Sequence, residues 1–152
     1  MKARSPQTSL RLDAAPPSVR WHDGARLAFL GGELVLKLVT DRKAAMREGE
    51  LLHLPLPPAA SARQIQDGVE SWLRQEAAQV IDACIGRQSA GGVRWAFSFA
   101  AKGGWAHNHA DGSLRFNWRL IEQPAQVIEA VVGRAISSLP QPAVTNDLWA
   151  LA

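Results

Sequence analysis

His107, His109 and Asp111 alternate along the chain at i, i+2 and i+4. On a strand such residues share a face, and two imidazoles with a carboxylate form a donor set for zinc or a similar metal. If a metal binds this chain anywhere, the spacing favours this cluster. The spacing is short, however, and Asp111-Gly112 reads as a turn, so a solvated loop is the preferred reading. Ser137 and Ser138 are the next candidates, as nucleophiles. No histidine shares their helix and no glycine elbow surrounds them, so a serine hydrolase would lack its base. The lone Cys84 excludes an internal disulfide and fits a reducing compartment. It falls on the apolar side of a helical pattern, where a thiol serves as a small hydrophobe. His22 and His53 have no partner at a useful spacing, and neither GxGxxG nor a P-loop pattern occurs.

The element best placed to carry chemistry is a helix over Ala125 to Leu139. Val127, Ile128, Val131, Val132, Ala135, Ile136 and Leu139 form one apolar stripe, with Pro124 suited to the first turn and Pro140 to the stop. At about 100° per residue, Arg134 and Ser138 share the edge of that stripe. A zinc peptidase holds two histidines four residues apart at such an edge, with a glutamate beside the first. Here the five-residue window reads Arg134-Ala135-Ile136-Ser137-Ser138.

The remaining elements follow from pattern. Residues 1–18 are polar and proline-bearing and read as a flexible tail ahead of one domain over 19–152. Arg26 to Leu30 and Glu33 to Val39 flank Gly31-Gly32, a two-residue hairpin signal, and Leu34, Leu36 and Leu38 share a face. Asp41 to Gly49 reads as a charged loop. Glu50 to Leu56 reads as a strand placed at a sheet edge by Pro55. Ser61 and Gln64 form a possible capping box for a helix whose stripe is Ile65, Val69, Trp72, Leu73, Val80 and Cys84, with Gly86 as its stop. Trp72 on this stripe reads as core. Val93 to Ala101 alternates, as do Leu114, Phe116 and Trp118 after Asp111-Gly112, which predicts a second antiparallel ribbon. The sum is a small α+β domain with antiparallel strands and two main helices.

DGSLRFNWRL (Asp111 to Leu120), Pro124, VIEAVV (Val127 to Val132), Leu139 and Trp149 fall in an order and spacing that resembles the YgjP-like metallopeptidases, small zincins related to the SprT type. Members of that family carry a run close to DGxIxLNWRL, a proline, VIDYVVxHELAHL and NHSxxFW. Upstream, RWHDGARLAFLGGELVLKL (Arg20 to Leu38) is similar to the family's WxDGAxLPFLG segment, so the likeness runs from Arg20 onward. The resemblance implies a zincin-like fold and a zinc cofactor. It also places the two HExxH histidines on Arg134 and Ser138, the catalytic glutamate on Ala135 and the third histidine ligand on Val144. The family's RWGSC loop falls on Gly104 to Asn108, keeping the tryptophan at Trp105. None of the four active-site positions except Ser138 carries a donor, and a lone hydroxyl is a poor zinc ligand. The expectation is therefore a degenerate member with its zinc lost, acting as an inactive pseudo-peptidase with a binding or regulatory role. Trp105, His107, Asn108 and Arg134 are then the candidate ligand-cleft residues.

Two alternatives stand beside it. SprT-like relatives work at DNA, and this chain of 152 residues carries a net charge of +3, so a nucleic-acid-associated module is one. Arg115, Arg119 and Arg134 would be its basic strip, although dispersed solvated charges are the plainer reading. The other is a metal-dependent hydrolase with its site relocated to His107, His109 and Asp111. The hydrophobic content of 47% suffices for one modest core. The first residues lack the apolar run of a signal peptide, and no stretch approaches the roughly 20 apolar residues of a membrane span. The expected location is cytoplasmic, with an unidentified protein or peptide partner, at most weak nucleic-acid binding, and no membrane.

Overall fold

The structure, a computed structural model, describes residues 21–89, 92–98 and 104–139. The predicted N-terminal tail, the strand residues from Phe99 to Ala101, the helix stop at Pro140, and Val144 and Trp149 lie outside the described residues. The chain forms two compact units, with the boundary between Trp72 and Leu73.

In the first unit, β1 (Arg26–Phe29) and β2 (Gly32–Val39) pair antiparallel, with Phe29 opposite Gly32. The turn occupies Leu30 and Gly31, both at positive φ (49° and 84°), so it lies one residue earlier than the two glycines suggest. Positive φ at both central positions is the twist that matches a two-residue hairpin. Leu30 tolerates it at a steric cost that a glycine would avoid.

A second hairpin joins β3 (Met46–Glu48) to β4 (Leu51–Pro55), and the sheet order is β1-β2-β4-β3. Two expectations are corrected here. The charged segment from Asp41 to Gly49 contains a strand, and the strand bearing Pro55 is interior, parallel to β2. Burial explains the arrangement: all three residues of β3 are exposed, whereas Leu52 and Leu54 of β4 are buried. The apolar strand therefore takes the centre and the charged one the edge. Pro55 is tolerated because β3 pairs only with Leu51, Leu52 and His53, so the missing N–H lies beyond its reach.

Helix α1 (Ala62–Gln88) opens on a true capping box. Gln64 N–H donates to Ser61 Oγ at 3.1 Å, and Ser61 N–H donates to Gln64 Oε1 at 2.8 Å. Ile65, Val69 and Trp72 are buried in the first unit, where Trp72 lies 5.2 Å from the Phe29 ring. Gly68 lets the helix approach the sheet, since a Cβ there would meet Leu54 Cδ1 at 3.1 Å. Gly86 does not stop the helix, which continues to Gln88 and ends where Arg87 and Gln88 engage Glu129.

In the second unit, β5 (Trp95–Phe97), β6 (Ala106–Asn108) and β7 (Leu114–Phe116) form a sheet in the order β5-β7-β6. The predicted ribbon is corrected: β5 and β7 run parallel, and the antiparallel partner of β7 across the Asp111-Gly112 turn is β6. Ala106–Asn108 shows no apolar alternation, which hid the strand from periodicity. Trp118 leaves the sheet and begins a 3₁₀ turn, Trp118–Glu122, capped by Asn117, whose side chain accepts from Arg119 N–H at 2.9 Å.

Helix α2 (Ala125–Ser137) buries Ile128, Val132 and Ala135 in one cluster with Ile81, Cys84 and Ile85 of α1 and Leu114 and Phe116 of β7. Each such aliphatic side chain, fully buried, contributes roughly 1.5–3 kcal/mol relative to exposure, so the stripe holds the helix in place without any ligand. Among the described residues, two helices with two small, mostly antiparallel sheets make a small α+β fold. Among the described residues, no helix is long and apolar enough to cross a membrane.

Candidate functional site

Val131, Arg134, Ala135 and Ser138 follow one another at i, i+3, i+4 and i+7, so α2 presents them from one face. Trp105, Ala106, His107 and Asn108 come from β6 and the residue before it. Between these two sets lies a cavity of about 290 Å³. All four candidate cleft residues, Trp105, His107, Asn108 and Arg134, line it, together with Ser138, which like Arg134 stands where the resemblance puts a metal ligand, and Ala135, where it puts the glutamate.

The polar groups on the wall differ in how free they are. Ser138 caps α2, and its Oγ lies 2.7 Å from Ala135 O and 3.2 Å from Asn108 Oδ1, so its single proton is already committed. Asn108 Nδ2 donates back to Ser138 O at 3.3 Å. The two side chains therefore clamp β6 to the end of α2. Ala135 is buried and belongs to the core. The Arg134 side chain is exposed and makes no hydrogen bond or ion pair among the described residues. Among the described residues, no acidic side chain lines the cavity.

The alternating trio separates. His107 lies on β6 and lines the cavity, but β6 ends at Asn108, so His109 and Asp111 belong to the turn and share no strand face with it. His109 Nδ1 stands 3.1 Å from Asp111 Oδ1. Ser113 donates to that same oxygen from its hydroxyl at 2.6 Å and its backbone N–H at 2.9 Å, which holds the Asp111 carboxyl well below the usual range. Arg115 completes the cluster, 3.7 Å from Asp111. Among the described residues no group of three histidine, cysteine or acidic side chains stands close enough to hold a metal ion.

Zinc does not fit the described residues of the cavity wall. Catalytic zinc takes about three protein donors and an open position. Of the described side chains on the wall only His107 is a customary zinc ligand, and the guanidinium of Arg134 is a fixed cation that would repel a dication. Val144 lies outside the described residues, and a valine side chain has no donor atom. The basic strip is also reduced: Arg119 pairs with Glu122 at 3.0 Å and covers the Trp118 ring at 4.8 Å, and Arg115 pairs with Asp111. Cys84 is buried beside Arg87 and Glu129, and burial pushes its thiol pKa up, in keeping with a packing role.

Sequence reasoning missed Ala106 and Val131 on the cavity wall. Val131 was legible as part of the α2 stripe; nothing local marks Ala106, whose place follows from β6 pairing with β7.

A family profile described as YgjP-like, metallopeptidase domain, matches residues 4–133. The match begins upstream of Arg20 and ends one residue before Arg134, so it includes the β6 wall of the cavity and Val131 but not Arg134, Ala135 or Ser138. No curated protein and no solved structure matches the chain.

Proposed function

The chain belongs to the YgjP-like metallopeptidase domain family, and from that membership we propose that it is a pseudo-peptidase, whose cleft engages a protein or peptide without cutting it. One observation carries the reading: Arg134, Ala135 and Ser138 face the cavity where the resemblance places histidine, glutamate and histidine. Amide hydrolysis of the zinc type needs a metal to acidify a water and a carboxylate to take its proton. Ala135 accepts no proton, the Ser138 hydroxyl is committed to Ala135 O and Asn108, and the Arg134 guanidinium offers donors but no lone pair for a metal. The fold persists because its stability comes from the apolar stripe of α2 and the strands it packs on, not from a metal. A cytoplasmic setting agrees with the single unpaired Cys84.

A nucleic-acid-associated role is the competing reading. It would need several free cations on one face, and the pairing of Arg115 and Arg119 with Asp111 and Glu122 favours the pseudo-peptidase instead. The test is metal analysis of the purified chain beside a fluorescent casein assay. We expect substoichiometric zinc and no hydrolysis above the blank. Stoichiometric zinc with cleavage that a chelator abolishes would end the proposal.

A further inference from the structure

The described arginines of the second unit are engaged, with one exception. Arg87 pairs with Glu129, Arg94 donates to Asp111 O, Arg115 pairs with Asp111, Arg119 pairs with Glu122, and Arg74 lies over the Trp118 ring. Among the described residues Arg134 alone has no such partner, and none of those lining its cavity is acidic. Its position in the last turn of α2, where a cation is favoured, accounts for its being tolerated but leaves its planar fork of donors unused. Asn108 and Ser138 satisfy each other, which leaves His107 and Arg134 as the recognition groups of the described wall, and of these only Arg134 offers a fork of parallel donors. The apolar part of the described wall is Trp105, 36% exposed, with Ala106, Val131 and Ala135, and His107 stands among them.

We propose that this cavity binds a peptide by its free C-terminal carboxylate, with Arg134 gripping the two oxygens and Trp105 and Val131 covering the last side chain. The inference rests on the reading of the cleft as one that binds without hydrolysing. A guanidinium fork matches a carboxylate in two parallel hydrogen bonds, and a peptide's C-terminus is a carboxylate that can carry an apolar side chain on the adjacent carbon. The cavity volume of about 290 Å³ is at the low end for small-molecule sites, enough for one terminal residue rather than a long segment. The cavity also borders the C-terminal end of α2, the negative end of the helix dipole, which disfavours a dianion such as phosphate more than a single carboxylate. Where relatives are expected to hold a dication, this chain would hold an anion.

The experiment titrates the full chain, labelled with ¹⁵N, with N-acetyl-leucine and separately with N-acetyl-leucinamide, following the indole N–H of Trp105, assigned through Trp105→Phe. Saturable shifts with the carboxylate, and binding of the amide weaker by about tenfold or more, are expected from the loss of a charge-assisted pair. Arg134→Gln should lose the same factor while keeping the wild-type melting temperature, and Arg134→Lys should fall between, keeping the charge without the fork. Equal binding of the two compounds, or no binding of either, overturns the proposal. So does tighter binding of inorganic phosphate or of an oligothymidylate single strand, the latter favouring the nucleic-acid reading. Zinc content and casein cleavage measured on the same preparation separate the two failures. Bound zinc with chelator-sensitive cleavage removes the pseudo-peptidase reading itself, whereas metal-free, inactive protein that ignores the carboxylate removes only this inference.

Discussion

Installing the family's metal ligands is the sharpest test of the proposal that this chain has no zinc site. The variant Arg134→His/Ala135→Glu/Ser138→His/Val144→His supplies the four groups that the resemblance assigns to those positions. Its metal-free form should be less stable than wild type for two reasons visible in the structure. Ser138→His breaks the hydroxyl clamp to Asn108 and Ala135 O, and Ala135→Glu puts a carboxylate at a position only 7% exposed. Together these cost about 2–4 kcal/mol. Zinc at a thousand times its dissociation constant would then add about 4 kcal/mol to the folded state. For a chain of this size each kcal/mol moves the melting temperature by about 2–4 °C, so zinc should raise that of the variant by about 8–16 °C. Thermal scans with zinc and with chelator measure both forms directly. In wild type the two scans should coincide, because His107 is the only customary zinc ligand on the described wall. A variant that folds and melts identically with and without zinc would show that residues 134 and 138 do not face a common point, and the register on which the functional reading rests would be wrong.

Other expectations follow from single groups. Leu30→Gly relieves a left-handed leucine in the β1–β2 turn and should raise stability by about 0.5–1 kcal/mol in urea denaturation, and a decrease would contradict the strain reading. Asp111 has its folded pKa depressed, chiefly by the Ser113 hydroxyl and N–H, so its contribution is present above the unfolded value of about 3.9 and disappears as the pH falls below that value. Asp111→Asn should therefore lower the melting temperature at neutral pH and flatten its decline in acid, and parallel wild-type and variant curves from pH 7 to pH 2 would refute this. Cys84, buried with its thiol pKa raised, should react with a thiol reagent only as the chain unfolds, and rapid labelling of native protein would contradict the packing role.

Much of this molecule was readable from local pattern. The stripes of α1 and α2 follow from residues three and four apart, and the capping box from Ser61 and Gln64. The α+β class follows from the order of those elements. Such features depend on neighbours along the chain, and helix or strand geometry turns spacing into direction. Strand partnership does not work that way. Nothing within Leu51–Pro55 or Met46–Glu48 says which lies inside the sheet; that was decided by competition for burial, which Leu52 and Leu54 win over three exposed residues. Likewise β5 and β7 look like hairpin mates by alternation, yet the fold makes them parallel neighbours and gives the hairpin to an unpatterned β6. The cavity belongs to the same class of fact. Residue types name Arg134 as a cation, but whether an acid stands near it depends on where elements distant in sequence place their carboxylates, and here they leave its guanidinium without a partner among the described residues.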